Sequence, residues 1–176
     1  MSRERKLTKE AAIEKSMFAF WKYGFRLSVR SLQRETGINR FMLQTELGGK
    51  EGVFLRALDN YLEESHISVY TPIASGNLLT IVQVFQELFD EEKNKMVYHG
   101  CFAVNTIIDA NIKSVQINKR TRLFLDMIHT SFASALQNEK DNDQLDQDFD
   151  TDSAANFLII SLFGIISLNK FKKNKN

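Results

Sequence analysis

The sequence predicts an all-α protein, and three observations lead there. A single proline, Pro72, leaves little to interrupt long helices. Apolar side chains recur at helical spacing along most of the chain. Hydroxyl residues, Thr8 and Ser28 among them, stand where helices would begin and can cap them. A hydrophobic fraction of 43% and a charged fraction of 26% place the chain among ordinary globular proteins. Its 176 residues can bury a core as one domain or as two small ones.

Residues 1–7 form a short basic arm, expected either to touch polyanion or to fray. Thr8 caps a first helix to about Tyr23, with Ile13, Met17, Phe20 and Trp21 as its apolar stripe, and Gly24 ends it. Ser28 caps a short helix that carries Val29 and Leu32 until Gly37 supplies a tight turn. A second helix follows from about Asn39 to Leu47. Its inward positions are Ile38, Met42 or Leu43, and Leu47, which leaves Arg40, Phe41, Gln44 and Thr45 outward. Two short helices across a glycine turn are a helix-turn-helix, whose outward residues suit a DNA major groove. Lys50 begins a longer helix to about Glu64, with Val53, Phe54, Ala57, Leu58, Tyr61 and Leu62 inward.

The net charge of +1 conceals an asymmetry. Residues 1–50 hold eleven Lys or Arg against five acids, and residues 51–176 hold twelve against seventeen. A basic first third suits a polyanion, because neutralised phosphates release counterions.

Together with Ile13, Phe20, Gly24 and Phe25 before it and Lys50-Glu51-Gly52-Val53-Phe54 after it, the helix-turn-helix resembles the DNA-binding domain of the TetR (tetracycline-repressor-like) family over roughly residues 8–64. The resemblance implies an N-terminal three-helix DNA-binding domain, residues 1–64, and a C-terminal helical ligand-binding and dimerisation domain, residues 65–176. It implies a cytoplasmic bacterial homodimer that binds operator DNA as a repressor and leaves it when a small apolar effector occupies the C-terminal domain. The DNA-contacting residues would be Ser28, Arg30, Asn39, Arg40, Phe41, Gln44, Thr45 and Lys50. Arg30, Arg40 and Lys50 would hold phosphates, and Gln44 would pair with adenine. The sequence departs from the family pattern at Phe41, Gln44 and Glu46. Those departures support an alternative, a protein on the same scaffold that has lost specific DNA binding and works through its ligand or dimer surface.

Pro72 and Gly76 mark a boundary or kink in a link from Ser65 to Asn77. A helix from about Leu78 to Glu87 or Asp90 carries Ile81, Val82, Phe85, Leu88 and Phe89, and residues 91–95 make a charged loop. The segment Gly100 to Thr106 is similar to the start of the sixth helix in many TetR-type proteins. Asn105 and Asp109 stand one turn apart, either as polar contacts to a ligand or as a cap and a surface residue. A long helix from Ile117 to Gln137 keeps Leu123, Phe124, Met127, Ile128, Phe132 and Leu136 at helical spacing, with His129 beside the stripe as a hydrogen-bonded or exposed residue. If the resemblance holds, a pocket lies between this helix and the Phe85 helix, lined by Phe85, Phe89, Phe102, Asn105, Asp109, Phe124, Met127 and Ile128.

Residues 139–152 are strongly acidic and read as a solvated connector; their alternating Asp residues lack the glycine and glutamate of a calcium loop. The last helix, about Ser153 to Asn169, is apolar all round, which predicts burial on every side, and its apolar run is short of a bilayer span. In the family it packs on its dimer mate, through Phe157, Ile160, Ser161, Phe163, Gly164 and Leu168 here. Family members continue with a further helix, so a chain ending here would make a smaller or rearranged dimer interface. Lys170 to Asn176 is expected to be a mobile basic tail.

His66, His99, His129 and Cys101 form no catalytic or metal-ligand spacing, and no glycine loop cradles phosphate, so neither an enzyme nor a cofactor is expected. One cysteine excludes an internal disulfide, and the absence of a basic start followed by an apolar run predicts a cytoplasmic protein without a membrane partner. A third reading, a peripheral membrane protein, would use the Phe157 to Leu168 helix and its Lys-rich end.

Overall fold

A computed structural model describes residues 7–89 and 99–173. Every regular element among them is helical: α1 (Lys9–Tyr23), α2 (Val29–Thr36), a π-helical turn π1 (Met42–Glu46), α3 (Gly49–Ser65), a second π turn π2 (His66–Tyr70), α4 (Thr71–Ser75), α5 (Leu78–Glu87), α6 (Phe102–Ile108), α7 (Val115–Asp141) and α8 (Thr151–Lys173). The residues expected to form the basic arm, apart from Leu7, and the expected charged loop at 91–95 lie outside the described residues.

The head, α1 to α3, is built as its local signals require. Thr8 Oγ1 accepts the Ala11 N–H at 3.2 Å and starts α1, and Ser28 Oγ accepts the Ser31 N–H at 3.1 Å and starts α2. The buried face of α1 is Ala12, Ser16, Ala19 and Phe20, whereas Ile13, Met17 and Trp21 are only half-buried. Small residues on the inner face let α1 lie close to its neighbours, so part of the expected stripe flanks that contact. Ser16 is satisfied there by donating to the Ala12 carbonyl.

The chain does not become a linker after α3. It stays helical through π2 and α4, and Tyr70 and Ile73 are buried. The wider π turn, closed by the Thr71 N–H to the His66 carbonyl, admits Pro72 at the start of α4, where the missing N–H is tolerated. Asn138 on α7 then donates to the carbonyls of Ala74 and Gly76, which holds this segment to the body. Asn77 and Thr80 form a reciprocal capping box that begins α5.

In the body, α5 buries a narrower stripe than its composition predicts: Ile81 and Leu88 are buried, while Val82 and Phe89 are exposed. The expected helix 117–137 extends at both ends, because Ser114 caps it at Ile117 and the acidic stretch continues it to Asp141. Phe124, Ile128, Phe132 and Leu136 are buried as expected, and Leu123 is exposed. His129 Nε2 stands 3.1 Å from Asp152 on α8. Asp150 accepts the N–H groups of Asp152 and Ser153, so part of the acidic connector is a helix cap.

Burial of α8 on all sides is not what the structure contains. Ala155, Leu162 and Ile166 pack inward against the core, while Phe157 and Ile160 are 69% and 71% exposed. Packing against α7 covers only one side of the helix. Thr151–Phe171 is also long and apolar enough, by length and composition only, to cross a bilayer, which corrects the expected shortfall. Helix α8 runs on through Lys173, so Lys170 belongs to a packed turn rather than a free tail.

One hydrophobic core connects head and body, and Phe54 stands where they meet. Its ring lies 4.9 Å from Phe20, 4.9 Å from Phe25 and 5.3 Å from Phe102, each edge-on. Phe54→Ala is expected to cost about 3–5 kcal/mol of folding free energy, whereas Phe41→Ala at an exposed position should stay within roughly 0.5 kcal/mol; urea unfolding of the two variants measures the contrast.

Candidate nucleic-acid interface

The turn between the two short helices is fixed by its own hydrogen bonds. Gly37 closes α2 in the left-handed conformation at φ 78°, and Thr36 Oγ1 donates to the Leu32 carbonyl while accepting the Ile38 N–H. Asn39 Oδ1 accepts the Met42 N–H at 2.8 Å and so caps the second helix. Residues 40–41 are helical, and π1 then widens the turn, closed by the Leu47 N–H to the Met42 carbonyl at 3.0 Å. The element expected as an α-helix over 39–47 thus ends as a π turn. Gly52 at the start of α3 is packed so tightly under it that a Cβ would run into the Leu47 carbonyl oxygen.

This backbone buries Ile38, Leu43 and Leu47 and leaves Asn39, Arg40, Phe41, Gln44 and Thr45 exposed. Arg30 is exposed on α2 and Ser28 at its cap. Phe41, at 65% exposure, is a large apolar group presented to solvent on the outer surface of the second helix. Such a surface offers a cation, amides, hydroxyls and an apolar ring, the donor and contact types that read base edges and phosphates.

Two charged residues depart from expectation. Lys50 does not face outward to hold phosphate: its Nζ donates to the Phe25 carbonyl at 2.9 Å and to the Leu27 carbonyl at 3.3 Å and sits 4.4 Å from the Phe25 ring centroid. A half-buried ammonium with these acceptors clamps the loop between α1 and α2. Glu46 is paired with Lys9 on α1 at 3.0 Å. That pairing draws its negative charge away from an approaching phosphate. Spacing within the motif does not reveal the Lys9–Glu46 pair, since its partners come together only through packing of α1 on π1.

The expected ligand pocket is dispersed. Phe102, Asn105 and Asp109 share a recess with Phe20, Gly24, Phe25, Phe54, Thr106 and Ile112, at the head–body junction and not between α7 and the Phe85 helix. The room in it is about 20 Å³, enough for one water. Phe85 packs near Phe132, Phe124 packs edge-on to Tyr70, Ile128 is in the core, Met127 is half-buried and Phe89 faces solvent. The polar pair is occupied by the protein itself. Asn105 bonds the His99 carbonyl and Lys170, and Asp109 accepts the backbone and side-chain amides of Asn111. The Asn111 backbone amide, with smaller help from its side chain and Arg26, holds the Asp109 carboxyl below the ordinary carboxylate range.

At the same junction Tyr61 of α3 donates its phenol to Cys101 Sγ at 3.1 Å. Burial pushes both groups up, the thiol and the phenol, so both stay protonated near neutrality. Further ties from head to body run from Trp21 Nε1 to the Gly100 carbonyl at 2.7 Å, from Ser114 to Glu51, and from Arg120 bidentately to Asp59.

No family model matches the chain. It is 25% identical over 166 residues, 90% of this chain and 84% of the other, to the uncharacterised HTH-type transcriptional regulator YezE of Bacillus subtilis (strain 168). The fold superposes at a TM-score of 0.79 and 20% identity on the TetR family transcriptional regulator CifR, in a cysteine-substituted form complexed with 26-base-pair operator DNA, covering 97% of this chain and 91% of that one. It superposes at 0.80 and 17% identity on a TetR family regulator from Cytophaga hutchinsonii, covering 96% and 88%. The molecule is therefore a helix-turn-helix protein. Its fold is that of these TetR-family transcriptional regulators.

Lys50→Met should lower stability by about 1–3 kcal/mol through loss of the loop clamp, seen as a lower unfolding midpoint. Cys101 should react with a thiol reagent slowly in the native protein at pH 7 and rapidly in denaturant, as colorimetric thiol titration would record.

Proposed function

We propose that this protein is a homodimeric, sequence-specific DNA-binding transcriptional regulator, a repressor released from its operator by a small apolar effector. The observation that carries the proposal is the exposed set Arg40, Phe41, Gln44 and Thr45 on a capped second helix, with Arg30 beside it on α2. The CifR structure, with its operator duplex, supports DNA as the partner. Residues 1–64 act as the reading head and residues 65–176 as the body. Arg30 and Arg40 hold phosphates, Gln44 and Asn39 contact base edges or backbone, and Phe41 meets a thymine methyl. Lys50 acts indirectly by fixing the α1–α2 loop.

The dimer forms through the uncovered apolar face of α8, where Phe157, Ile160, Gly164 and Leu168 are exposed and Ser161 and Phe163 half-buried. A Cβ added at Gly164 would meet nothing within 4 Å, which leaves room for the close approach of a second helix. An apolar effector seated around Phe102 has to displace side chains, because the recess there is far smaller than the roughly 300 Å³ of an ordinary ligand site, whereas an open recess of about 420 Å³ lies on α7 at Val115, Asn118, Lys119, Arg122 and Leu123. The Lys9–Glu46 pair favours DNA reading over a scaffold that has lost it, since it offsets the acid on the second helix.

Titration of duplex from the protein's own promoter tests the proposal. Arg40→Ala should weaken binding and lower the slope of log affinity against log salt by about one, while Gln44→Ala should relax sequence preference at a single base pair with a loss of about 1–3 kcal/mol. Wild type and the double variant binding alike, and only at low salt, would refute specific reading. A solution mass of 20.3 kDa at micromolar concentration would refute the dimer.

A further inference from the structure

A run of polar contacts ties the last helix to the first, and it includes no residue of the proposed reading face or dimer surface. Lys170, in the C-terminal turn of α8, donates from Nζ to Asn105 Oδ1 at 2.9 Å. Asn105 on α6 donates from Nδ2 to the His99 carbonyl at 2.6 Å. The next residue, Gly100, offers its carbonyl to Trp21 Nε1 on α1 at 2.7 Å. Gly100 has φ +70°, and a Cβ there would stand 3.2 Å from both Asn105 Oδ1 and Lys170 Cδ. Glycine meets both this conformation and this close approach without strain. Beside Lys170, Asn169 Nδ2 donates to the Leu88 carbonyl at 2.9 Å, so the same turn also grips the end of α5.

The choice of residue at the end of this run is informative. Lys170 is half-buried, and its loss of hydration lowers the ammonium pKa. An apolar residue of similar length would pack at lower cost, so simple space-filling does not explain a cation there. The outer side of the same turn carries Leu168 and Phe171, which are exposed. A load applied to the outer face of α8 and the Lys170 contact therefore act on one turn of helix. At the other end, Trp21 lies edge-on to Tyr61 of α3, with 5.2 Å between ring centroids, so the run ends in the packing of the head.

We propose that Lys170, Asn105, Gly100 and Trp21 form a conformational latch through which the C-terminal turn of α8 sets how the head is seated on the body. Lys170 and Asn105 are positioning residues; neither touches DNA. Formation of a dimer on α8 and seating of the head then bias each other by the same factor, as any two coupled equilibria must. Two heads bound to one duplex need a fixed separation, and the latch lowers the cost of holding it. The operator-affinity consequence rests on the DNA-binding function proposed above. The latch itself does not.

Trp21 is the sole tryptophan, so emission from the full-length chain reports the far end of the latch directly. Lys170→Met keeps the stem that lies on Gly100 and removes the donor; Lys170→Arg keeps a donor; Asn105→Ala breaks the middle contact. The expected result is a red-shifted emission with stronger acrylamide quenching in Lys170→Met and Asn105→Ala, near wild-type behaviour in Lys170→Arg, and operator binding weakened about fivefold or more in the first two, the lower end of ordinary coupling between sites. Trp21 emission and quenching unchanged in both Lys170→Met and Asn105→Ala, with far-ultraviolet circular dichroism intact, would overturn the latch. If wild type binds no promoter DNA, the regulator function fails while the emission result still decides the latch.

Discussion

Head and body share the ring of Phe54, and most of the architecture depends on that shared burial. Phe20 and Phe25 meet it from the head, Phe102 meets it from α6, and each contact is edge-on at about the spacing aromatic pairs favour. Because aromatic interiors are close-packed, a change in the position of α6 cannot be absorbed there without moving α3 or α1. The outer helix of the head packs on α3 and pairs Glu46 with Lys9 of α1, so its direction depends on that packing as well as on its own hydrogen-bonded turn. Trp21 on Gly100, Arg120 on Asp59 and Ser114 on Glu51 add directional ties to the same junction.

The outer face of the second helix, by contrast, is an arrangement of small local satisfactions. Thr36 and Asn39 use side-chain oxygens to hold backbone amides at the turn, which frees the outer side chains from structural duty. Charge is distributed in the same manner. Lys50 donates to loop carbonyls, Lys9 faces Glu46, and Arg30 and Arg40 stay exposed. Exposed ion pairs contribute little to stability, so the Lys9–Glu46 contact matters for the charge presented on that face more than for folding.

Helix α8 shows how composition and context divide the work. Its sequence is apolar around the whole circumference, yet α7 can cover only one side, where Ala155, Leu162 and Ile166 lie. The other side is a large apolar surface of the kind that marks an interface. Its C-terminal turn is anchored by Asn169 and Lys170 to α5 and α6, which makes the helix a mechanical part of the body as well as a surface. Residues expected to surround one pocket instead belong to the junction, to the α7 core and to the surface.

Local features were legible in the residues alone. Thr8, Ser28, Gly24 and Gly37 act within a few residues of themselves, through caps and turns, so their roles can be read without knowing what packs nearby. The helical repeat of Phe124, Ile128, Phe132 and Leu136 is equally local, and so is the outward set Arg40, Phe41, Gln44 and Thr45. Tertiary packing decided the rest. Pro72 stood inside a continuing helix because π2 widened the backbone and α7 held it; Lys50 turned inward because loop carbonyls distant in sequence were waiting; Asn105 met His99 and Lys170 at the junction instead of a cavity between α7 and α5. A periodic pattern tells which side of a helix is apolar, but which of its neighbours reaches a given side chain depends on how helices far apart in the chain are brought together.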